Sequence, residues 1–260
     1  MATDGFPRDK STAYRWRNGT LQAIHPVQQL QLTELLGIDR QKAELTRNTE
    51  QFVAGRPANH VLLTGSRGTG KSSLVKAELT EFAARGLRLV EVPVHDLFAL
   101  PDVVAPLRTR PERFILYVDD FSIASDDTAL SALKAALDGG VEEPPDNVLI
   151  YATSNRRHLL PEYQKDNEEY TWHGEELHPG ESTEEKISLS ERFGLWLSFP
   201  PFTQDQYLAA VKLHLRTLGV IHWGEELKVL ACRWALNRGS RSGRVARQFA
   251  RDYAGQHVAA

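Results

Sequence analysis

Eight consecutive residues, Gly65-Ser66-Arg67-Gly68-Thr69-Gly70-Lys71-Ser72, have the types and spacing that a bound phosphate needs. They match G-x-x-x-x-G-K-[ST] without a mismatch, a pattern whose glycines let backbone N–H groups turn inward around an anion. Lys71 would hold the β- and γ-phosphates of a nucleotide, and the Ser72 hydroxyl would ligate magnesium. The nucleotide-binding set runs from Gly65 through Ser73. It has the right frame: an apolar run, His60 to Thr64, precedes it, and Leu74, Val75, Leu79 and Phe82 recur on one side of a helix after it. That helix would aim its positive end at the phosphates.

A second constellation lies downstream. Phe114-Ile115-Leu116-Tyr117-Val118 is an apolar run ending in Asp119-Asp120, so a buried strand would deliver two carboxylates to one point. Asp119 is the candidate magnesium ligand. Asp120 is the candidate acceptor for a proton of the attacking water, with a side chain one methylene shorter than the glutamate usual in that role. Two solvated aspartates capping a strand are the plain alternative. Val148 to Ala152 is another apolar run, and Thr153-Ser154-Asn155 follows it. Asn155 would then sit near the γ-phosphate and the water, although Asn also favours strand-end turns.

These residues need a scaffold that brings strand ends together. Ile38, Leu45 and Phe52 suit a helix stopped by Gly55-Arg56-Pro57; Arg88 to Pro93 reads as a strand and Asp96 to about Val104 as a helix. Leu130, Leu133 and Leu137 mark a helix closed by Gly139-Gly140, and Leu197 to Phe199 is a last short strand before Pro200-Pro201. Apolar strands alternating with helices predict a doubly wound α/β core with a parallel sheet. Residues 1–34 read as an extended polar arm, 35–200 as the nucleotide-binding domain, and 201–260 as a small helical domain with helices near 204–218, 224–237 and 243–254. Residues 157–186, rich in Glu, His, Tyr and Gly, read as a long loop or insertion; Glu168-Glu169 and Glu175-Glu176 there are most simply solvated charge.

The 260 residues are 41% hydrophobic and 25% charged, proportions of a folded globular chain that exclude disorder and fibrous repeats. A formal net charge of -3 gives no global pull towards nucleic acid or anionic membrane. One cysteine, Cys232, excludes an internal disulfide framework and a multi-cysteine zinc site, and it falls within an apolar helix pattern as a core residue. The first twenty residues lack the apolar core of a signal peptide and no later stretch is long and apolar enough to span a bilayer, so the expected compartment is the cytoplasm, with no membrane partner.

Taken in order, the phosphate loop, the Asp119-Asp120 strand end, which resembles a Walker B element, Asn155, Ser190-Glu191-Arg192-Phe193-Gly194 and Ser242-Gly243-Arg244 resemble an AAA+ module from about Leu36 onward. Leu36-Gly37-Ile38-Asp39, Asn48-Thr49-Glu50-Gln51-Phe52 and Gly68 to Ala77 are similar to the bacterial AAA+ ATPases grouped as domain of unknown function 815. The resemblance implies a P-loop αβα sandwich with a C-terminal helical lid, ATP and Mg2+ as ligands, and hydrolysis in a homo-oligomer acting on an unknown protein client. It also implies that Leu36, Gly37 and Ile38 line the adenine pocket and that Asn155 is sensor 1. Arg192 would be an arginine finger reaching a neighbour's ATP, and Arg244 would be sensor 2 on the lid. Planar, always-charged guanidinium groups suit those last two roles, although either could be a surface ion-pair partner.

Two rivals stand beside this reading. Ser190 to Leu197 also resembles helicase loaders, and Arg233, Arg238, Arg241, Arg244, Arg247 and Arg251 could contact nucleic acid, but solvated helix faces plus one phosphate sensor explain those arginines more simply. The shorter Asp120 side chain opens the alternative of a nucleotide-gated scaffold with little hydrolysis.

Overall fold

The computed structural model describes residues 6, 7, 9–121, 133, 134, 136, 137, 145–155, 171–173, 176–178 and 191–257. Among these residues seven strands form one sheet in the order β2-β1-β4-β5-β6-β3-β9, with β1 Ala13–Arg17, β2 Thr20–Ala23, β3 Val61–Gly65, β4 Leu87–Glu91, β5 Arg113–Val118, β6 Val148–Ser154 and β9 Leu195–Phe199. All neighbours are parallel except β1 and β2. Every residue of β3 and β6 is buried, as expected of central strands covered on both faces. On one face Leu62, Val90, Leu116, Ile150 and Ala152 join one apolar cluster. On the other, Val61, Leu63, Ile115, Tyr117 and Tyr151 pack with Leu45 and Phe52 of α1 (Asp39–Val53) and Leu74, Val75 and Leu79 of α2 (Lys71–Phe82).

Because the central strands run in parallel, the phosphate loop, the two aspartates and Asn155 all leave the sheet at one edge. Leu63 pairs with Thr153 and Thr64 with Ser154, while Val118 pairs with Ala152. Gly65, Asp119 and Asn155 therefore sit within a residue or two of the same level at the C-terminal ends of adjacent strands, the usual ligand site of an open α/β sheet.

The residues after the sheet are helical: α4 Gln204–Thr217, α5 Glu225–Asn237 and α6 Gly243–His257. They share a separate apolar cluster that includes Phe202, Tyr207, Val211, Leu227, Ala231 and Phe249. A capping box formed by Thr203 and Gln206 opens α4. Ser242 accepts from the Val245 N–H at 3.3 Å to open α6.

Four sequence expectations change. The N-terminal stretch is not simply an arm: β1 and β2 form a hairpin that extends the sheet beyond β4, and Tyr14, Trp16 and Leu21 are buried with Phe6 against Phe114. The stretch after Asp96 is a 3-10 turn, Val94–Ala99, followed by a short α3, Leu100–Val104, rather than one helix. Within the expected 157–186 loop, Thr171–His173 (β7) and Glu176–His178 (β8) pair as an antiparallel hairpin; the rest of that stretch lies outside the described residues, as does most of the helix expected around Leu130. Cys232 is half-buried, on the flank of the buried Leu227, Ala231 and Ala235 stripe of α5.

One buried carboxyl lies between α1 and α2. Glu78 is fully enclosed and accepts a hydrogen bond from Thr46 Oγ1 at 2.6 Å, while its second oxygen has no partner among the described residues. Burial pushes it up to about 7, against the pull of the Thr46 and Thr49 hydroxyls. Since the folded state holds this proton more tightly than the unfolded chain, the associated stability is full below about pH 4.5 and is lost as pH rises through about 7. Glu78→Gln should flatten that window and stabilise the protein above pH 7 by up to about 3 kcal/mol. Urea unfolding of both proteins from pH 4 to pH 8 checks this, and parallel stability curves would rule it out.

Candidate nucleotide-binding site

The turn after β3 is built by glycines in left-handed backbone. Gly65 has φ +131 and lies so close to β9 that an added Cβ would collide with the Phe199 carbonyl oxygen, so no side chain fits. Gly70, at φ +106, precedes α2 without any side-chain cap, which leaves the first N–H groups of the helix open to an anion. Thr69 Oγ1 donates to the Ser66 carbonyl at 2.8 Å and braces the loop.

Lys71 folds under that loop. Its Nζ donates to Gly65 O at 2.7 Å, Ser66 O at 2.8 Å and Asn155 Oδ1 at 3.2 Å, which uses all the hydrogens an ammonium has. Burial lowers its pKa to about 8, although the Asp120 and Asp119 carboxylates pull the other way. At neutral pH the group is still charged.

Asp119 and Ser72 meet at the end of β5. Ser72 Oγ donates to Asp119 Oδ1 at 2.8 Å, and Thr153 Oγ1 donates to the same oxygen at 2.7 Å. Burial alone would raise the carboxyl; the Tyr117, Thr153 and Ser72 hydroxyls around it outweigh that and hold it below its ordinary value. An ionised carboxylate beside a hydroxyl is a hard oxygen pair that fits Mg2+. Its separation is close to the roughly 3 Å between adjacent corners of an octahedron with 2.1 Å bonds. Bound there, the metal would neutralise charge on the phosphate oxygens.

Asp120 has φ +56, a left-handed conformation that Asp tolerates better than most residues. Its N–H donates to Thr153 Oγ1 at 2.9 Å, and the next N–H, of Phe121, donates to Thr153 O at 2.7 Å, so the backbone here is pinned to β6. Asn155 Nδ2 donates to Asp120 Oδ1. Lys71, Asn155, Asp120, Asp119 and Ser72 are thereby joined through shared contacts.

A cavity of about 530 Å³ opens over these groups. Its walls include Arg67 to Ser73, Asp119, Asp120 and Asn155, with Leu36 and Ile38 on one side and Arg244 from the lid on the other. Gly37 is not itself in the wall: its carbonyl accepts from Gln206 Nε2 at 3.2 Å, tying α4 to the loop that carries Leu36 and Ile38. Gly65 and Ser66 form the loop's entry and contribute carbonyls to Lys71. The lid also touches the loop directly, since a Cβ on Gly68 would meet Ser242 Oγ at 2.9 Å and Arg244 Cβ at 3.1 Å.

Arg192 does not reach this cavity. It precedes Leu195, which pairs with Val61 at the start of β3, whereas Phe199 at the other end of β9 pairs with Gly65. The length of β3 alone puts roughly 13 Å between the start of the strand and its phosphate loop.

Sequence reasoning missed Gln28, Leu30, Glu34 and Leu35 from the segment before α1, Thr153, and Phe202, Ala210, His214 and Arg247 from the lid side. Burial lowers the His214 pKa, and Arg247 and Arg251 lower it further, so the imidazole on this wall is neutral at neutral pH. Of these, only Arg247 carried a signal: it lies one helical turn beyond Arg244 and shares its face.

A family model described as a protein of unknown function (DUF815) matches residues 9–257. The chain belongs to the DUF815 family. No curated protein sequence matches the DUF815 chain. Among solved structures it is similar to a point mutant of Thermotoga maritima RuvB, with a TM-score of 0.58 and 20% identity over 85% of this chain and 64% of that one. The Aeropyrum pernix ORC1 protein in complex with DNA gives a TM-score of 0.61 and 16% identity over 85% and 60%. The DUF815 chain thus spans less than two thirds of either neighbour's length. These likenesses establish the fold, an AAA+ P-loop NTPase αβα sandwich. Among the described residues no helix is long and apolar enough to cross a membrane.

The contact between Gly68 and the lid generates a prediction. Gly68→Ala adds left-handed strain and a clash with Ser242, of the order of 1–3 kcal/mol, and should weaken nucleotide binding about tenfold by displacing Arg244. Calorimetric titration with ATP checks it; unchanged affinity would mean that the lid contact is dispensable for binding.

Proposed function

We propose that this chain hydrolyses ATP with magnesium as a subunit of a homo-oligomeric AAA+ assembly, and couples that hydrolysis to remodelling or loading of a macromolecular client. The observation that carries the reading is the convergence on one cavity of Lys71, Ser72, Asp119, Asp120, Asn155 and Arg244. Lys71 and the open N–H groups at the start of α2 bind phosphate, Ser72 and Asp119 hold magnesium, and Asp120 takes a proton from water that Asn155 helps to orient. Arg244 brings lid charge to the γ-phosphate. Leu36 and Ile38 offer an apolar wall to the adenine.

Asp120 is the base only if its carboxylate can be presented to water. Lys71→Ala should abolish detectable ATP binding while leaving the fold intact. Asp120→Asn should keep the binding and reduce turnover by about a hundredfold or more. Calorimetry and a phosphate-release assay separate the two effects. If the wild type shows no hydrolysis above background in any oligomeric state, the protein is a nucleotide-gated scaffold instead.

The distance of Arg192 from its own phosphate loop supports a role in trans, with Arg192 of one subunit reaching the ATP held by Lys71 of the next. An arginine supplied to such a site raises turnover about a thousandfold or more. Arg192→Ala should therefore bind ATP and fail to hydrolyse it, and mixing it with Lys71→Ala should restore part of the activity, because some interfaces combine an intact loop with an intact finger. Mixed assemblies, verified by light scattering, that stay as inactive as their parents would count against it.

The clients of RuvB and ORC1 raise the question of nucleic acid, since one structure of RuvB is described as a Holliday junction branch migration motor and ORC1 was solved with DNA. Two of the lid arginines, Arg244 and Arg247, face the cavity here, which weakens the case for a lid surface devoted to DNA. A protein client is the favoured reading.

A further inference from the structure

The phosphate-binding pattern leaves the position of Arg67 open to any residue, yet this side chain is placed with purpose. Its guanidinium stands in the cavity wall, largely exposed, with Nη2 4.0 Å from Asp120 Oδ2. Asn155 holds the other Asp120 oxygen. Because the Asp120 backbone is pinned to Thr153, the carboxylate can be redirected only by turning about its own side-chain bonds, and these two contacts bias where it points.

Both partners are exposed to displacement by phosphate. Lys71 has no spare hydrogen, so a phosphate oxygen must take one from a present acceptor, and its contact with Asn155 is longer than those with Gly65 and Ser66. Asn155 then loses its anchor on Lys71. Arg67 is held to Asp120 only by a long, solvent-exposed ion pair, a weak interaction. A phosphate offers the same guanidinium shorter, forked hydrogen bonds. On the ATPase reading above, Asp120 and Asn155 serve the terminal phosphate, so the competitor nearest to Arg67 is the γ-phosphate.

We infer that Arg67 is a positioning residue that alternates between two anions: it restrains Asp120 in the empty and diphosphate states, and moves to the γ-phosphate when a nucleoside triphosphate binds. This deepens the ATPase reading above and rests on it. Released from Arg67, the Asp120 carboxylate accepts a proton from water as the water oxygen bonds to the γ-phosphorus. The bond to the β–γ bridging oxygen breaks, and its electron pair leaves with the diphosphate. Arg67 thereby makes the base more available when there is a terminal phosphate to attack, and favours triphosphate over diphosphate in binding.

The test compares wild type, Arg67→Ala and Arg67→Lys in magnesium buffer by calorimetric titration with ADP and with the non-hydrolysable analogue AMP-PNP, followed by steady-state ATP hydrolysis. Arg67→Ala should weaken AMP-PNP about tenfold and ADP less than about twofold, and should lower kcat by a larger factor than it raises KM. Arg67→Lys should recover part of the AMP-PNP affinity but less of kcat, because an ammonium is a point charge that cannot fork across two oxygens. Equal weakening of both nucleotides would mean a distorted loop and would overturn the inference. So would an unchanged triphosphate preference together with an unchanged kcat, the ATPase reading surviving if wild type binds and hydrolyses ATP. Wild type that binds neither nucleotide overturns both.

Discussion

A lysine ammonium drawn below the surface is the constraint from which the rest of the site follows. Lys71 can be buried as a cation only if every hydrogen finds an acceptor, and its acceptors come from two neighbouring strand ends. Gly65 and Ser66 offer carbonyls because the chain turns sharply after β3, and that turn requires a residue without a side chain against Phe199 of β9. Asn155 offers the third from the end of β6. The register of β9, β3 and β6 is thus a condition for placing one charged atom. Asp119 and Asp120, delivered by β5 on the far side of β6, supply the negative charge that a buried cation needs nearby.

The lid is tied to this arrangement at two points, one beside Leu36 and Ile38 and one on the phosphate loop. Gln206 caps α4 with its side-chain oxygen and donates its amide to the Gly37 carbonyl, beside Leu36 and Ile38. Ser242 caps α6 and rests against Gly68 of the phosphate loop. On the proposed function, a helical layer attached in this way would have one footing by the base and one by the phosphates. Its orientation therefore depends on how both are occupied, which is the requirement for turning ligand binding into movement of a domain.

Much of the core was legible because its strands are apolar on both faces. Val61–Gly65, Arg113–Val118 and Val148–Ser154 stand out from their surroundings without any need for period, and the glycine-lysine pattern then fixes which strand end is the site. The N-terminal hairpin was not read because β1 and β2 are short, at five and four residues, and only partly buried, which gives too little alternation to notice. A signal was nevertheless present. Asn18-Gly19, at φ 52 and 72, is the dipeptide that a tight hairpin turn favours, and it lies between Tyr14-Arg15-Trp16 and Leu21. The rim residues Gln28, Leu30, Glu34 and His214 could not be foreseen, since they belong to no local pattern. Only the path of the chain across α2, marked by the Leu30 N–H on Thr80 Oγ1 at 3.3 Å, and the docking of α4 bring them to the cavity.

The order of the strands in the sheet also sets a timetable for a ribosome. Arg15 bonds to Glu91, 76 residues later, and Thr64 to Trp196, 132 residues later. At about 5–20 residues per second, the aromatic hairpin waits roughly 4–15 s for β4, and β3 waits roughly 7–26 s for β9. Through that interval Phe6, Tyr14 and Trp16 have no completed sheet to cover, and the turn at Gly65 has no Phe199 to press against. The nascent chain therefore completes its phosphate loop late, well after the hairpin has found β4.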